Sequence, residues 1–214
     1  MANGHKGHKW FAAMYDRLSA RDEKGYLKDI RSHIVGGARG RVLEVGAGTG
    51  ANFPYYEDSE ACTVLATEPD PYMLERARRK RDDLNLLIEL QLAPAERLPF
   101  EDQSFDTVVS TLVMCTVGDI DGALQEIRRV LKADGEFRFY EHVRSTHPVG
   151  GFFQDLAAPA CSWFGAGCHP NRDVAAAIEG SGFHLAEVRR LHPYPNIPPM
   201  SLWRPHIVGV ALPA

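Results

Sequence analysis

From Arg41 onward, short β-branched and leucine-rich runs alternate with segments whose apolar residues recur every three or four positions. The runs Arg41–Val45, Thr63–Thr67, Leu86–Leu92, Phe105–Leu112 and Glu136–Glu141 read as strands buried on both faces. Between them, Asp70-Pro71 is a cap and first-turn signature that opens a helix to about Asp82. Ile120, Leu124, Ile127 and Leu131 mark a second helix, ending near Asp134-Gly135. Strands and helices in this rhythm predict an α/β, doubly wound parallel sheet with right-handed crossovers.

The ends of the chain follow other patterns. Phe11, Met14, Tyr15 and Leu18 share one helical face, and Leu27, Ile30 and Ile34 share another, so the first 40 residues predict a helical cap stopped by Gly36, Gly37 and Gly40. After His142 the rhythm breaks. Val149–Gly167 reads as an apolar, loop-rich insert carrying Phe152, Phe153, Trp163 and Phe164, a lid or pocket wall. Asn171 opens a further helix through Ile178, and strands Leu185–Leu191 and His206–Leu212 follow, separated by the proline-rich stretch Pro193–Pro205.

The stretch Arg41–Gly50, RVLEVGAGTG, is where chemistry enters. A buried strand runs into Gly46, Gly48 and Gly50, a tight turn with almost no side chains. Such a turn lets a ligand rest against bare backbone and aims helix N-terminal amides at it. Glu44 and Glu68 add carboxylates suited to hydroxyl groups, so a nucleoside is the expected occupant. The turn alone also fits the G-x-G-x-x-G/A pattern of dinucleotide binders through Gly46, Gly48 and Ala51, which keeps an NAD-dependent oxidoreductase as the reading from a different class.

Composition narrows the setting. With 214 residues, 44% hydrophobic and 24% charged, the chain has the balance of one soluble domain. A net charge of -4 gives no general attraction to nucleic acid, and the run Arg76, Arg78, Arg79, Lys80, Arg81 reads as a solvated helix face. Cysteines 62, 115, 161 and 168 form no CxxC pair and no zinc spacing, so no metal is expected and a reduced, cytoplasmic setting fits. No apolar run of about 18 residues or signal-peptide core is present, which predicts neither a membrane span nor export.

The wider pattern decides between cofactors. EVGAGTG, TEPDPYML, PAERLPFEDQSFDTVVS and EIRRVLKADGEFRFYEH resemble, in order and spacing, the class I S-adenosylmethionine-dependent methyltransferases over about Arg41 to His142. The resemblance implies a Rossmann-like, seven-stranded sheet with an antiparallel last strand, within a single domain divided into a cap (1–40), a cofactor-binding core (41–142) and a substrate-side region (143–214). It implies S-adenosylmethionine as cofactor, held by Glu44, Gly46, Ala47, Gly48, Gly50 and Asn52 around the first turn. Glu68, which takes both ribose hydroxyls, Pro69 and Met73 follow the second strand. Ala95 and Glu96 would meet the adenine edge, and Thr111 and Leu112 line the cofactor at the end of the fourth strand. The family's usual adenine-contacting Asp is Pro94 here.

Methyl transfer from a sulfonium is an in-line displacement that asks mainly for positioning, with a base only for a protonated acceptor. His142, just beyond the fifth strand at the carboxyl edge of the sheet, is the candidate base, a backbone-satisfied histidine being the alternative. Tyr15, with Asp16, would close over the cofactor as the Tyr-Asp pair of related enzymes does. Cys168 and His169 read as a pocket-facing pair or a structural turn. VVSTLVMCTVGD, FGAGCHPNRDVAAAIEGSGF and RPHIVGVALP are similar to the methyltransferase-like 7 group of alkyl-thiol S-methyltransferases and their bacterial relatives. Bacterial phosphatidylethanolamine N-methyltransferases and quinone C-methyltransferases share the same core motifs. The expected partner is therefore a small, partly apolar acceptor, a thiol first, held beneath Phe152, Phe153, Trp163 and Trp203.

Overall fold

A computed structural model describes residues 25–57, 59–164, 167–194, 197 and 200–214. The expected first helix, and with it Tyr15 and Asp16, lies outside these residues. Helix α1 (Tyr26–Gly36) precedes strand β1 (Arg39–Val45), and β2 (Glu60–Glu68), α2 (Pro71–Asp83) and β3 (Ile88–Leu92) follow. Next come β4 (Phe105–Thr111), α3 (Ile120–Val130), β5 (Leu131–His142), α4 (Pro148–Phe164), α5 (Val174–Gly180), β6 (Phe183–Leu191) and β7 (His206–Pro213).

The strands form one sheet in the order β3-β2-β1-β4-β5-β7-β6. β1 pairs in parallel with both β2 and β4, so the chain winds outward in both directions from it. That divergence opens a crevice beyond the carboxyl ends of β1 and β4, the place where open α/β sheets bind ligands. β7 inserts antiparallel between β5 and β6, which gives the mostly parallel, seven-stranded sheet expected. Its two faces carry separate apolar cores, one around Phe105, Leu124, Ile127 and Phe137, the other around Ile34, Phe53 and Tyr140.

Local chemistry sets most boundaries. Asp70 Oδ1 accepts from Tyr72 N and Met73 N and caps α2, with Pro71 in the first turn where a missing N–H costs nothing. On α2, Arg78 and Arg79 are exposed and pair with Glu75, as a solvated face would, whereas Arg76, Lys80 and Arg81 are half-buried and Arg81 donates to Ile88 O.

Three boundaries differ from expectation. α3 stops at Val130, because Leu131 turns extended and joins the sheet opposite Phe105, five residues before Glu136 resumes the ladder. α5 is capped by Asp173, whose carboxylate accepts from Ala176 N, while Asn171 donates to Asp155 instead. The predicted loop-rich insert is the 17-residue helix α4 with Pro159 inside it. Its buried face is Gly151, Gln154, Ala158 and Cys161, small residues and one amide that leave no apolar stripe to read. Gln154 pins it, accepting from Ser145 N and donating to Val143 O and Leu202 O. Phe152 and Phe153 are 62% and 53% exposed, so neither is a wall of the pocket described below. The Trp163 and Phe164 side chains lie outside the described residues.

Candidate active site

The glycine turn leaves β1 with Gly46, Gly48 and Gly50 at φ of +70°, +58° and +80°, the left-handed region in which a side chain is strained. A Cβ on Gly46 would stand 2.5 Å from a Val113 methyl, and one on Gly50 2.6 Å from the Phe53 ring. A Cβ on Gly48 would meet nothing within 4 Å. Gly46 and Gly50 are therefore demanded by packing, whereas Gly48 presents bare backbone to open space. Ala47, between them, anchors the turn to β2 by donating to Thr67 O at 2.8 Å.

Glu68 ends β2 beside this opening. Its two oxygens accept from Gly48 N and Asp70 N, both at 2.9 Å, and it is almost fully buried. Burial raises its carboxyl to about 7, against the pull of those two N–H groups. A buried carboxylate satisfied only by two backbone donors at the crevice mouth keeps acceptor capacity for a vicinal diol. Pro69 and Met73 stand next to it, half-buried at the start of α2.

Behind the turn lies a buried polar knot that motif matching did not fully foresee. Asn52 Nδ2 donates to Glu44 Oε1 at 3.0 Å and to Thr111 Oγ1 at 3.1 Å, and Arg31 of α1 donates to both Asn52 and Thr111. Glu44 is pushed up to about 7 by burial, against hydrogen bonds from the Tyr56 hydroxyl and Asn52. Arg31 sits on the helical repeat of Leu27 and Ile34, a charge in an otherwise apolar stripe, and that break of pattern was its only signal.

The 93–96 segment closes the far side. Ala93 N donates to Glu68 O, and Ala95 is buried in the core under β1. Glu96 Oε1 accepts from Gly118 N at 3.1 Å and Asp119 N at 3.4 Å, so its carboxylate braces the entry to α3 as well as bordering the crevice. With Pro94 in place of an acid, no free carboxylate reaches this side from the loop.

At the end of β4, Leu112 takes φ +60°, an uncommon conformation for a branched side chain, held by its N–H bond to Tyr140 O at 2.7 Å. Glu141, fully buried, accepts from Ser110 Oγ, Val113 N and Cys115 N and thereby shapes the 113–115 loop. Burial pushes its carboxyl up, so the carboxylate depends on those donors.

His142 follows Glu141 with Nδ1 3.5 Å from Cys115 Sγ and 3.4 Å from Cys168 Sγ. The His206 ring packs on it with centroids 4.2 Å apart. Burial first, and His206 second, push His142 well below the ordinary histidine range, so its ring is neutral. His142, Tyr194, Met200 and Trp203 line a cavity of about 230 Å³. Cys115, His206 and Cys168 came together here without a spacing signal, because three separate segments deliver them. Of the expected acceptor aromatics, Trp203 lines this cavity and Phe152 and Phe153 do not, while the Trp163 side chain lies outside the described residues.

These features fit a bound adenosyl group: open space at Gly48 and a buried diol acceptor in Glu68 at the end of β2. The methyltransferase-domain family matches residues 43–139. A human thiol S-methyltransferase, TMT1B, is 34% identical over 215 aligned positions, covering 95% of this chain and 84% of that protein. A phosphatidylethanolamine N-methyltransferase of Cereibacter sphaeroides is 32% identical over 68% of this chain and 71% of its own. The crystal structure of an S-adenosylmethionine-dependent methyltransferase from Thermotoga maritima superposes with a TM-score of 0.67 at 22% identity, covering 96% of this chain and 98% of that one. The chain belongs to the methyltransferase-domain family, and is an enzyme that takes S-adenosylmethionine as its methyl donor.

Proposed function

We propose that this methyltransferase acts on a small, partly apolar thiol bound in the cavity lined by His142, Tyr194, Met200 and Trp203. The observation that carries the reading is the mostly apolar cavity with one imidazole, that of His142, in its wall. The human relative's thiol activity adds to it. Residues 143–214 form the acceptor side in this reading, and 41–142 the cofactor side.

Bound S-adenosylmethionine supplies an electrophilic sulfonium methyl. The chain's own residues then position and desolvate. Glu68 accepts the ribose hydroxyls in place of its contact with Gly48 N, and Gly48 admits the ligand against the backbone. Ala47, Gly46, Gly50 and Asn52 hold that backbone rigid, with Thr111 and Leu112 at its floor. Met73, Pro69 and Ala95 supply apolar contact, and the Ala95 N–H, with Glu96, the ring-edge contact that Pro94 cannot make. Tyr15, which lies outside the described residues, keeps in this reading the role the family resemblance gives it. The acceptor thiol must lose a proton before attack, and in the metal-free chain His142 is the basic group within the cavity wall. With Nδ1 turned to the two sulfurs, Nε2 is the atom that takes the proton. A reducing, cytoplasmic compartment belongs to this reading, supported by the free thiols of Cys115, Cys161 and Cys168.

S-adenosylhomocysteine release measured across alkyl thiols, phenols, amines and quinols tests it. Turnover confined to thiols is expected, and turnover with amines alone would overturn it. A phospholipid amine is the second reading, favoured by the row Val149, Phe152, Phe153 and Leu156, all more than half exposed on α4. Tight co-sedimentation with anionic vesicles, together with amine turnover, would select it. No helix among the described residues is long and apolar enough to cross a membrane.

A further inference from the structure

Three segments of chain deliver two sulfurs and one imidazole nitrogen to a single point. Cys115 Sγ, His142 Nδ1 and Cys168 Sγ all lie within 4.8 Å of one another, and the two sulfur-to-nitrogen distances are 3.5 and 3.4 Å. Tetrahedral coordination with Zn–S of about 2.3 Å and Zn–N of about 2.0 to 2.1 Å places sulfur and nitrogen about 3.5 to 3.6 Å apart. The apo spacing matches that to about 0.1 to 0.2 Å.

The supports are rigid. Cys115 is held by its N–H bond to Glu141 and by His169 N donating to its carbonyl at 2.7 Å. Arg172 donates to Met114 O, tying the Cys168 turn to the Cys115 loop. Preset ligands of this kind lower the ordering cost of binding. The two thiols also lie within hydrogen-bond reach of each other, so all three groups meet at one point. Beside the cluster, His206 Nε2 and His169 Nδ1 are buried without hydrogen-bond partners.

We propose that Cys115, His142 and Cys168 form a binding site for a soft divalent cation of the zinc type, held on the Nδ1 side of the His142 ring with a water molecule as fourth ligand. Two thiolates and a neutral imidazole suit such an ion and neutralise its charge. Binding breaks two S–H bonds and forms two metal–sulfur bonds, and both protons leave to solvent. The cavity that reaches His142 is the entry path.

Full-length protein stripped with chelator and titrated with Co²⁺ tests the site. One equivalent should produce sulfur-to-cobalt charge-transfer absorption in the near ultraviolet and the visible bands of a tetrahedral ion. Zn²⁺ should displace it. Cys115→Ser, Cys168→Ser and His142→Ala should each weaken Co²⁺ binding by about tenfold or more. Retained thermal stabilisation by S-adenosylhomocysteine reports that each variant is folded. Wild-type protein with no charge-transfer band overturns the site whatever the variants do. These spectra need no turnover, so failure of the thiol-acceptor reading, scored by S-adenosylhomocysteine release, is told apart from failure of the site.

Discussion

Arg31 Nη1 donates to Asn52 Oδ1 at 2.6 Å, a buried bond that joins α1 to the residue just past the glycine turn. The same guanidinium group reaches Thr111 at the end of β4, so one charge ties the cap to both strands that flank the crevice. Asn52 passes the contact on to Glu44. Arg31 thus faces an acid that burial alone would hold protonated, and it favours the ionised form.

Replacing Arg31 with Met keeps the apolar stem and removes the charge. Asn52 Oδ1 and Thr111 Oγ1 then lose a charged donor in a dry interior, a loss of roughly 2 to 4 kcal/mol. Urea unfolding should show this, and S-adenosylhomocysteine affinity should fall with it because the turn loses its brace. Stability unchanged within error would mean that the knot is dispensable.

The glycines of the turn separate by what a methyl group would meet. Gly48→Ala places a Cβ in open space and should cost only the left-handed strain, about 1 to 2 kcal/mol. Cofactor affinity should nevertheless fall at least tenfold, about 1.4 kcal/mol, since the methyl stands where the ligand approaches. Gly46→Ala drives a Cβ to 2.5 Å from Val113 and should destabilise by about 2 to 5 kcal/mol. Equal cofactor affinity for Gly48→Ala and wild type would move the ligand away from this backbone.

Much of this arrangement was legible in the sequence, and the exceptions share a cause. The strand-glycine-acid order fixes Gly46, Gly48 and Glu68 because local chain geometry carries those roles within a few residues. Helix α4 escaped notice because its inner face is Gly151, Gln154, Ala158 and Cys161, while its aromatics point out. Arg31, Cys115, Glu141 and His206 meet their partners through the sheet order, which places β5 between β4 and β7. No spacing along the chain encodes that adjacency. Tyr15 lies outside the described residues.

Glu68 makes cofactor binding depend on pH in a defined direction. Its folded value of about 7 lies above the ordinary 4.5, so the folded cofactor-free protein holds a proton there that the unfolded chain releases. This group's contribution to stability is therefore full below about pH 4.5 and is lost as pH rises toward 7, a loss on the order of 3 kcal/mol. Ribose hydroxyls donate best to the ionised form, so S-adenosylhomocysteine affinity should strengthen from pH 6 to pH 8. Glu68→Gln should flatten that profile, and Glu68→Ala should weaken binding by about 1 to 3 kcal/mol. Calorimetric titration at each pH reads both, and a Glu68→Gln profile parallel to wild type would remove the carboxylate from the ribose.

His142 can be separated into proton acceptor and positioning group by the pH dependence of transfer. Burial holds it well below the ordinary histidine range, so its ring stays neutral through the range where alkyl thiols are protonated. In the chelator-treated enzyme, a thiol acceptor near pH 7 needs a base, and the cavity wall offers His142. Near pH 10 a large share of the thiol is already ionised and that need vanishes. The His142→Ala variant should thus lose at least about tenfold in kcat/KM near neutrality, with the deficit shrinking as pH rises. The wild-type profile should show no inflection near 6.5, the signature of an unperturbed histidine. A deficit of equal size at every pH would leave His142 with packing against Cys115, Cys168 and His206 as its contribution to the reaction.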